Sequence, residues 1–370
     1  MEKLKNVRVF ALYLPQFHPI PENDMWWGRG FTEWTNVGKA KKYFRGHYQP
    51  RVPADLGYYD LRIPETRQAQ ADMARQFGVE GFIYWHYWFG NGKRLLERPF
   101  NEVLASGEPH FPFALAWANE TWKGFEHGLK KRNVLIEQQY LGDEDYMAHF
   151  KAILPALKDP RYIKVNGKPF FMIYKPHQLP NVAHFINLWQ KLAKSNGLNG
   201  IYFTAHIQTR HEHNNATEET ILGQMLALGF DAVNFVRITY FLEESSFINK
   251  IVMKFNKIFR GVPRTYPYRM LIKYLTNAID TNPKVIPSIV PGWDHSPRSG
   301  SGGLVITNST PELFEEHVSA VIKNIKEKPS QERCVIIKSW NEWAEGNYME
   351  PDLYWGYSFL KMLKRGIEKC

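Results

Sequence analysis

The chain has 370 residues, of which 44% are hydrophobic and 15% aromatic, a composition that excludes intrinsic disorder and suits one large α/β domain or two ordinary domains. The net charge of +10 is compatible with nucleic acid, acidic glycans or an anionic membrane as partners, and charge alone does not choose among them. There is neither a secretory apolar core at the N-terminus nor an apolar run that could span a bilayer, which predicts a soluble cytoplasmic protein. Two cysteines, Cys334 and Cys370, provide no disulfide framework and no metal-binding spacing.

Apolar runs rich in β-branched and aromatic residues recur along the chain, and most are followed by a segment with helical periodicity. Runs of this length without polar alternation are typical of buried parallel strands. The predicted strands are Val7 to Leu14, Gly81 to Trp88, Phe113 to Trp117, Phe170 to Tyr174, Ile201 to His206, Ala232 to Ile238, Val285 to Val290 and Cys334 to Ser339. About eight strand–helix units predict a single (β/α)8 TIM barrel over residues 1–370.

A doubly wound sheet is the alternative fold, but the glycine-rich phosphate-binding turn that would follow its first strand is missing. One stretch departs from the barrel pattern. A basic insertion at about 243–280 interleaves lysine and arginine with apolar residues at helical spacing, and from Ser245 to Asn277 it contains no acidic residue. An outer helix with a solvated face explains this pattern. Peripheral contact with an anionic membrane or a lipid-linked glycan is the functional alternative.

In a (β/α)8 barrel the carboxyl ends of all strands meet at one mouth, which carries the chemistry of barrel enzymes. Here aromatic, amide and acidic residues cluster at those ends, whereas residues of a simple core would be spread along the strands. We expect substrate to be bound by Gln16, His18, Trp26, Trp27, Glu33, Tyr84, His86, Trp88, Trp117, Asn119, Glu120, Trp122, His206, Trp293, Asp294, Trp340, Asn341 and Trp343. Arg237 follows the sixth predicted strand and is expected at the same end.

Several indole rings beside amides, histidines and paired acids suit the recognition of sugars, whose C–H faces stack on aromatic rings while their hydroxyls need fixed polar partners. Cleavage of a glycosidic bond requires a proton donor and a second carboxylate. Glu342 and Glu345 are the predicted catalytic pair, because a spacing of three in a turn or helix places them on one face. Mutual repulsion would then keep one of them protonated near neutral pH. Glu120, after the third strand, is a competing acid.

Other chemistries find less support in the sequence. His211 and His213 form a pair of imidazoles without a third ligand at a recognisable spacing, so a solvated loop is the better interpretation and we expect no metal. No Gly-x-Ser-x-Gly nucleophile motif is present. We expect no cofactor and no nucleic-acid partner, and the oligomeric state stays open.

Five stretches together resemble the WbsX-type proteins of bacterial surface-polysaccharide clusters, which are often labelled glycosyltransferases. These stretches are Ala11 to Pro19, Trp26 to Trp34, Gly81 to Trp88, Ala116 to Glu120 and Ser339 to Gly346. WbsX-type proteins are similar in fold to the endo-α-mannosidases and endo-mannanases of glycoside hydrolase family 99. The resemblance implies a barrel and a retaining mechanism in which Glu342 assists the 2-hydroxyl of the sugar and Glu345 acts as acid and base.

Three functions follow as hypotheses. The favoured one is a retaining, endo-acting glycoside hydrolase or glycan transferase that acts on a mannose-type or related surface polysaccharide. The second is a nucleotide-sugar glycosyltransferase of O-antigen or exopolysaccharide biosynthesis, although no clear Asp-x-Asp metal motif follows a strand. The third is a non-catalytic protein that binds an oligo- or polysaccharide through the aromatic mouth.

Overall fold

The structure is a computed structural model that describes residues 7–124, 133–244 and 261–369. Residues 245–260, which form the centre of the basic insertion expected at about 243–280, lie outside the described residues, as does Cys370. The contact of that insertion with an anionic membrane therefore stays a prediction.

Eight parallel strands form a closed barrel in the described part of the chain, which confirms the predicted fold class. Each predicted strand is present, with ends that differ by up to three residues. The strands are β1 Arg8–Tyr13, β2 Gly81–Trp88, β3 Phe113–Trp117, β4 Lys168–Ile173, β5 Tyr202–Ile207, β6 Ala232–Phe235, β7 Val285–Ile289 and β8 Cys334–Ile337. Neighbours in the chain are neighbours in the sheet, and β1 closes the barrel by pairing with both β2 and β8.

Helices connect the strands and surround the barrel. In chain order, the described helices are α1 Pro21–Trp27, α2 Glu33–Gly38, α3 Pro64–Gln76, α4 Arg98–Ser106, α5 Asp143–Lys158, α6 Val182–Ser195, α7 Glu218–Ala227, α8 Tyr240–Glu244, α9 Tyr268–Leu275, α10 Ser296–Ser299, α11 Pro311–Ile325 and α12 Ser358–Glu368. Thr217 and Thr310 cap α7 and α11 through their side chains, as expected of threonine at a helix start. Within the described ranges, no helix is both long and apolar enough to cross a membrane.

Short strands are also present, some paired with the ends of barrel strands and some in separate small sheets of the loops. They are Arg94–Leu95, Trp122–Lys123, Val134–Ile136, Lys164–Val165, Arg264–Pro267, Leu304–Thr307, Asn341–Glu342 and Asn347–Tyr348. Arg264–Pro267 and α9 belong to the described end of the basic insertion. Leu271 of α9 packs in a small apolar cluster with Val290 and Ile306, so this part of the insertion buries its apolar face within the protein.

Successive residues of each barrel strand face opposite sides, and both sides are buried. On β2, the ring of Tyr84 packs against Phe100 of α4, and His86 contacts His149 of α5, so these side chains face the helices. Trp85 packs against Tyr174 and His206 and therefore faces the barrel interior. This alternation decides which side chains of a strand reach the mouth.

Arg237, which follows β6, is buried on the helix side of the barrel in an ion-pair cluster rather than at the mouth. Its guanidinium donates two hydrogen bonds of 2.7 and 3.0 Å to Glu218 at the start of α7 and two of the same lengths to Asp280. All three side chains are at least 96% buried. The expectation that Arg237 belongs to the mouth is wrong, because its side chain lies on the helix-facing side, with the guanidinium 5.6 Å from the ring centroid of Phe235.

We predict that Arg237→Met destabilises the fold by about 3 to 5 kcal/mol, since it leaves Glu218 and Asp280 buried without a positive partner. Urea denaturation followed by tryptophan fluorescence measures the change. Arg365→Met is the matched control, because the Arg365 side chain is 59% exposed where it pairs with Glu315, and its loss is expected to cost under about 1 kcal/mol. Equal destabilisation by the two variants would contradict the assignment of a stabilising role to the buried cluster.

Candidate active site

A cavity of about 340 Å³ opens at the carboxyl end of the barrel. Its walls come from residues in or after seven of the eight strands in the described part of the chain. The lining consists of Leu14, Gln16, Trp85, Tyr87, Ala118, Glu120, Trp122, Tyr174, Lys175, Gln208, Trp293, His295, Arg298, Lys338, Glu342 and Glu345. A cavity of this volume suits a small molecule, and aromatic rings, amides and charged groups all line it.

The structure brings six of the sequence-predicted residues to this cavity. They are Gln16, Glu120, Trp122, Trp293, Glu342 and Glu345. Three more lie directly behind its wall: Glu33 contacts Arg298, Trp26 packs edge-on against Trp122, and His206 packs beneath Trp85 and Tyr174.

The remaining predicted residues do not line the cavity. His18 is buried, and burial lowers its pKa to about 4. Trp27 stacks on Phe31 near the first loop's surface. The other nine face the helices or connect loops to one another. They are Tyr84, His86, Trp88, Trp117, Asn119, Asp294, Trp340, Asn341 and Trp343.

The alternation of β2 and β3 explains much of this difference. Tyr84, His86 and Trp88 occupy the helix-facing positions of β2, where Trp88 stacks on His149 with ring centroids 4.7 Å apart. The intervening Trp85 and Tyr87 line the cavity, although neither was among the residues predicted to bind substrate. Trp117 likewise packs outward against Phe185 of α6, whereas Ala118 and Glu120 face the cavity. Fixing the inward parity of a strand would have identified these residues.

Two buried asparagines extend the barrel beyond its strands. Asn341 accepts a hydrogen bond from the backbone N–H of Leu14 at 2.7 Å and donates one to its carbonyl at 3.0 Å, which joins the ends of β8 and β1. Asn119 makes the same pair of bonds, at 2.8 and 2.9 Å, to Lys175 after β4. Each amide pairs with the N–H and the carbonyl of one residue, as a neighbouring strand would do. We therefore assign both side chains to stabilising the loops of the mouth rather than to contacting substrate.

Trp340 and Trp343, on either side of Asn341 and Glu342, are fully buried and pack under the loop after β8. Trp340 packs on Phe82 of β2. Trp343 donates its indole N–H to Glu350 at 2.6 Å and stacks on Tyr348 at a centroid distance of 3.8 Å. Glu350 also accepts bonds from Tyr59 and Gln70, and burial raises its pKa to about 7. The loop that carries Glu342 and Glu345 thus rests on a layer of apolar and hydrogen-bonded side chains.

Glu342 and Glu345 face the cavity from this loop, and their environments push their pKa values in opposite directions. Burial first, and then the negative charge of Glu345, raise the pKa of Glu342 to about 7. Burial acts in the same direction on Glu345, but the positive charges of Arg298 and Lys338 outweigh it and lower the pKa of Glu345. In the free protein at a pH below about 7, the pair therefore holds one proton, and Glu342 carries it.

Arg298, from α10, was not recognised in the sequence and is central to this arrangement. Its Nη1 donates to Glu345 Oε1 at 2.5 Å, while its Nε and Nη2 lie 3.2 and 3.1 Å from Glu33 Oε2. The guanidinium thereby connects the first loop to the last one. His295 lies 3.9 Å from the same Glu345 oxygen, and burial together with Arg298 lowers its pKa to about 4, so the imidazole is neutral.

Asp294 holds the backbone of the loop that carries Glu342 and Glu345 instead of lining the cavity. Its backbone N–H donates to the carbonyl of Glu345 at 2.6 Å. Its carboxylate lies 2.8 Å from Nε2 of His47 and accepts a hydrogen bond of 2.6 Å from the side-chain amide of Gln49. Burial would raise the pKa of Asp294, but the bond from His47 and the charge of Arg51 lower it to about 2. The carboxylate therefore stays ionised as a fixed anchor.

His211 and His213 lie in a short 3-10 turn beside the mouth, and Glu212 between them forms an ion pair with Lys175 at 2.7 Å. Among the described residues there is no group of three or more histidine, cysteine, aspartate or glutamate side chains arranged to hold a metal ion. The turn thus tethers a cavity lysine through Glu212.

Solved structures show the same fold at low sequence identity. The endo-α-mannosidase of glycoside hydrolase family 99 from Bacteroides thetaiotaomicron superimposes with a TM-score of 0.60 at 14% identity, covering 98% of this chain and 96% of that chain. A glycoside hydrolase-like protein superimposes with a TM-score of 0.56 at 13% identity, covering 98% and 94%. These likenesses concern the fold, and they extend over the whole barrel.

A family match extends over the same barrel. The family described as Glycosyltransferase WbsX matches residues 9–363, and the chain belongs to this family. Uncharacterized protein WxcX from Xanthomonas campestris pv. campestris strain B100 is 34% identical over 361 residues, 97% of this chain. The match covers 49% of WxcX, so the chain spans about half the length of the curated relatives it matches. The family expected from the sequence motifs is thereby confirmed.

Gly346 ends the turn that carries Glu345, and we predict that Gly346→Ala displaces this turn. The residue has a φ of +59°, and an added Cβ would lie 2.6 Å from Cβ of Asp294. Gly356→Ala is the matched control, because Gly356 has a φ of +51° but no neighbour within 4 Å of an added Cβ. We expect the control to lose about 1 kcal/mol from backbone strain alone and Gly346→Ala to lose clearly more.

Thermal unfolding of both variants measures this difference, and a crystal structure of Gly346→Ala reveals the position of Glu345. Equal losses of stability with an unmoved Glu345 would contradict the tight contact between Gly346 and Asp294.

Proposed function

We propose that the chain is a retaining, endo-acting glycan-cleaving enzyme whose catalytic pair is Glu342 and Glu345. One observation carries the proposal: two buried carboxyl groups face one aromatic-walled cavity, and their pKa values are displaced in opposite directions. Glycosidic bond cleavage by paired carboxyl groups needs one proton donor and one ionised partner at the same pH. The substrate that we propose is a mannose-type or related bacterial surface polysaccharide.

The walls of the cavity suit a sugar ring. Trp85, Trp122 and Trp293 offer aromatic surface on which the C–H face of a pyranose can stack. Gln16 and Gln208 offer amide groups that can donate to and accept from hydroxyls. Neither kind of contact requires the backbone to move, which favours a site formed before the sugar binds.

The roles within the pair follow from the resemblance to family 99. Glu342 would accept the proton of the sugar's 2-hydroxyl while the 2-oxygen attacks C1, and Glu345 would protonate the departing glycosidic oxygen. The charges of the free cavity favour the proton on Glu342, the opposite placement. The pair holds one proton in both cases. For this mechanism, substrate binding must therefore move the proton from Glu342 to Glu345. Otherwise Glu342 is the acid and Glu345 is the base.

A second function has specific support, because the family is described as a glycosyltransferase. In that case the cavity would take an activated donor sugar and pass it to an acceptor glycan, as in the synthesis of O-antigen. Release of a nucleotide from a donor sugar would favour transfer. Shortening of a polysaccharide would favour cleavage, and binding without turnover would leave a glycan-binding protein.

We expect Glu342→Gln and Glu345→Gln each to lower the rate of glycan cleavage by about 10² to 10⁴, the usual contribution of a general acid or base. Incubation of the purified chain with mannan and with the surface polysaccharide of the host, followed by size-exclusion chromatography, measures chain shortening. Glu327→Gln is the control, since Glu327 is exposed between the end of α11 and the start of β8, at the end of the barrel opposite the mouth. Full activity in both cavity variants would contradict the assignment of the catalytic pair.

The pH dependence of cleavage tests the shared proton directly. We expect kcat/KM to fall about tenfold per pH unit above a pKa of about 7, because Glu342 then loses the only proton of the pair. Glu350 also has a pKa of about 7 and could produce the same limb. Glu350→Gln separates the two, since the limb should persist in this variant. Its disappearance there would assign the titration to Glu350.

A further inference from the structure

Lys338, directly after β8, places an ammonium group in the cavity with little to bind it. Its side chain is only 5% exposed. The Nζ atom lies 3.6 Å from Glu342 Oε2 and 5.5 Å from the ring centroid of Trp293. Within the described ranges, Nζ makes no hydrogen bond, although an ammonium has three N–H donors. Because Lys338 lines the cavity, these donors are available to acceptors that a ligand brings there.

The other two cations of the cavity differ from Lys338 in this respect. Arg298 bonds to both Glu33 and Glu345, as described above. Lys175 donates to Glu212 at 2.7 Å. Both therefore have a close negative partner within the protein, and neither needs a charge from the substrate.

The nearest negative group to Lys338 is Glu342, and it is an incomplete partner. The separation of 3.6 Å is beyond the usual length of a charge-assisted hydrogen bond, about 2.7 to 2.9 Å. Glu342 is also the member of the pair that carries the proton near neutral pH. The positive charge of Lys338 is thus poorly balanced when the cavity is ready to act.

We propose that Lys338 binds a carboxylate on the sugar, so that the substrate is an acidic glycan containing a hexuronic acid. The inference rests on the proposed function, which places a sugar in this cavity. A carboxylate would accept two hydrogen bonds from the unused N–H donors and would balance the positive charge of Lys338. A hydroxyl would accept a hydrogen bond but would leave that charge unbalanced. A hexuronic acid is close in size to the neutral hexose, so the same cavity accommodates it.

Binding of hydrolysis-resistant sugars tests this inference without any turnover. The probes are methyl thioglycosides of mannuronic, glucuronic and galacturonic acid, each paired with its neutral hexose, and isothermal titration calorimetry measures their dissociation constants. We expect at least one uronide to bind about tenfold or more tightly than its neutral partner, as a hydrogen bond to a charged group allows. Equal binding within every pair, or no binding of any uronide, overturns the proposal.

Variants then assign the preference to Lys338. Lys338→Met should remove the preference for the uronide and keep the binding of the neutral sugar, while Lys338→Arg, which retains the charge, should keep part of it. Lys284→Met is the control for net charge, because Lys284 precedes β7 at the opposite end of the barrel and pairs with Glu332.

Loss of the preference in Lys284→Met, or equal weakening of both sugars in Lys338→Met, contradicts the assignment. The comparison of sugars on the unmodified chain decides the substrate class even where Lys338→Met fails to fold. A chain that binds uronides but cleaves no glycan would refute the proposed function alone.

Discussion

Two carboxyl groups buried side by side cannot both be ionised unless nearby positive charge compensates them, and the rest of this site is arranged around that constraint. Arg298 compensates one of them, Glu345, through a close ion pair, while Glu342 has only the more distant Lys338. The asymmetry fixes a single proton on the pair. It also explains why Glu33 is buried in the first loop, since it holds Arg298 in place from the other side.

The mouth is held by groups that do not reach the cavity. Asp294 bonds to the backbone of Glu345, Asn341 joins β8 to β1, and Glu350 fixes Trp343 beneath the loop. The first two contacts connect segments that are far apart in the chain, and Glu350 adds distant partners by accepting bonds from Tyr59 and Gln70. A catalytic pair needs such support, because a displacement of about 1 Å can cost a large part of the rate.

The sequence was sufficient to predict the fold and the end of the barrel at which the cavity opens. In strand β2, seven of the eight residues are apolar or aromatic and only His86 is polar, a pattern that indicates a strand buried on both faces. The sequence of β2 does not show which of its residues face the barrel interior, because polar and apolar residues do not alternate along the strand. Trp85 was therefore passed over in favour of His86. Arg298 could not be found either, since its role depends on bonds to Glu33 and Glu345 from distant parts of the chain.

The proposed binding of a carboxylate at Lys338 bears on the proton of the pair. In the free cavity the positive charge of Lys338 opposes the rise in the pKa of Glu342. A substrate carboxylate would neutralise much of that charge and add a negative one nearby, and both effects raise the pKa of a neighbouring carboxyl group. An acidic sugar would thus strengthen the hold of Glu342 on its proton, whereas a neutral sugar would leave it unchanged. If the substrate is acidic, the electrostatics favour Glu342 as the proton donor and Glu345, charged beside Arg298, as its partner, which exchanges the roles that the resemblance to family 99 implies.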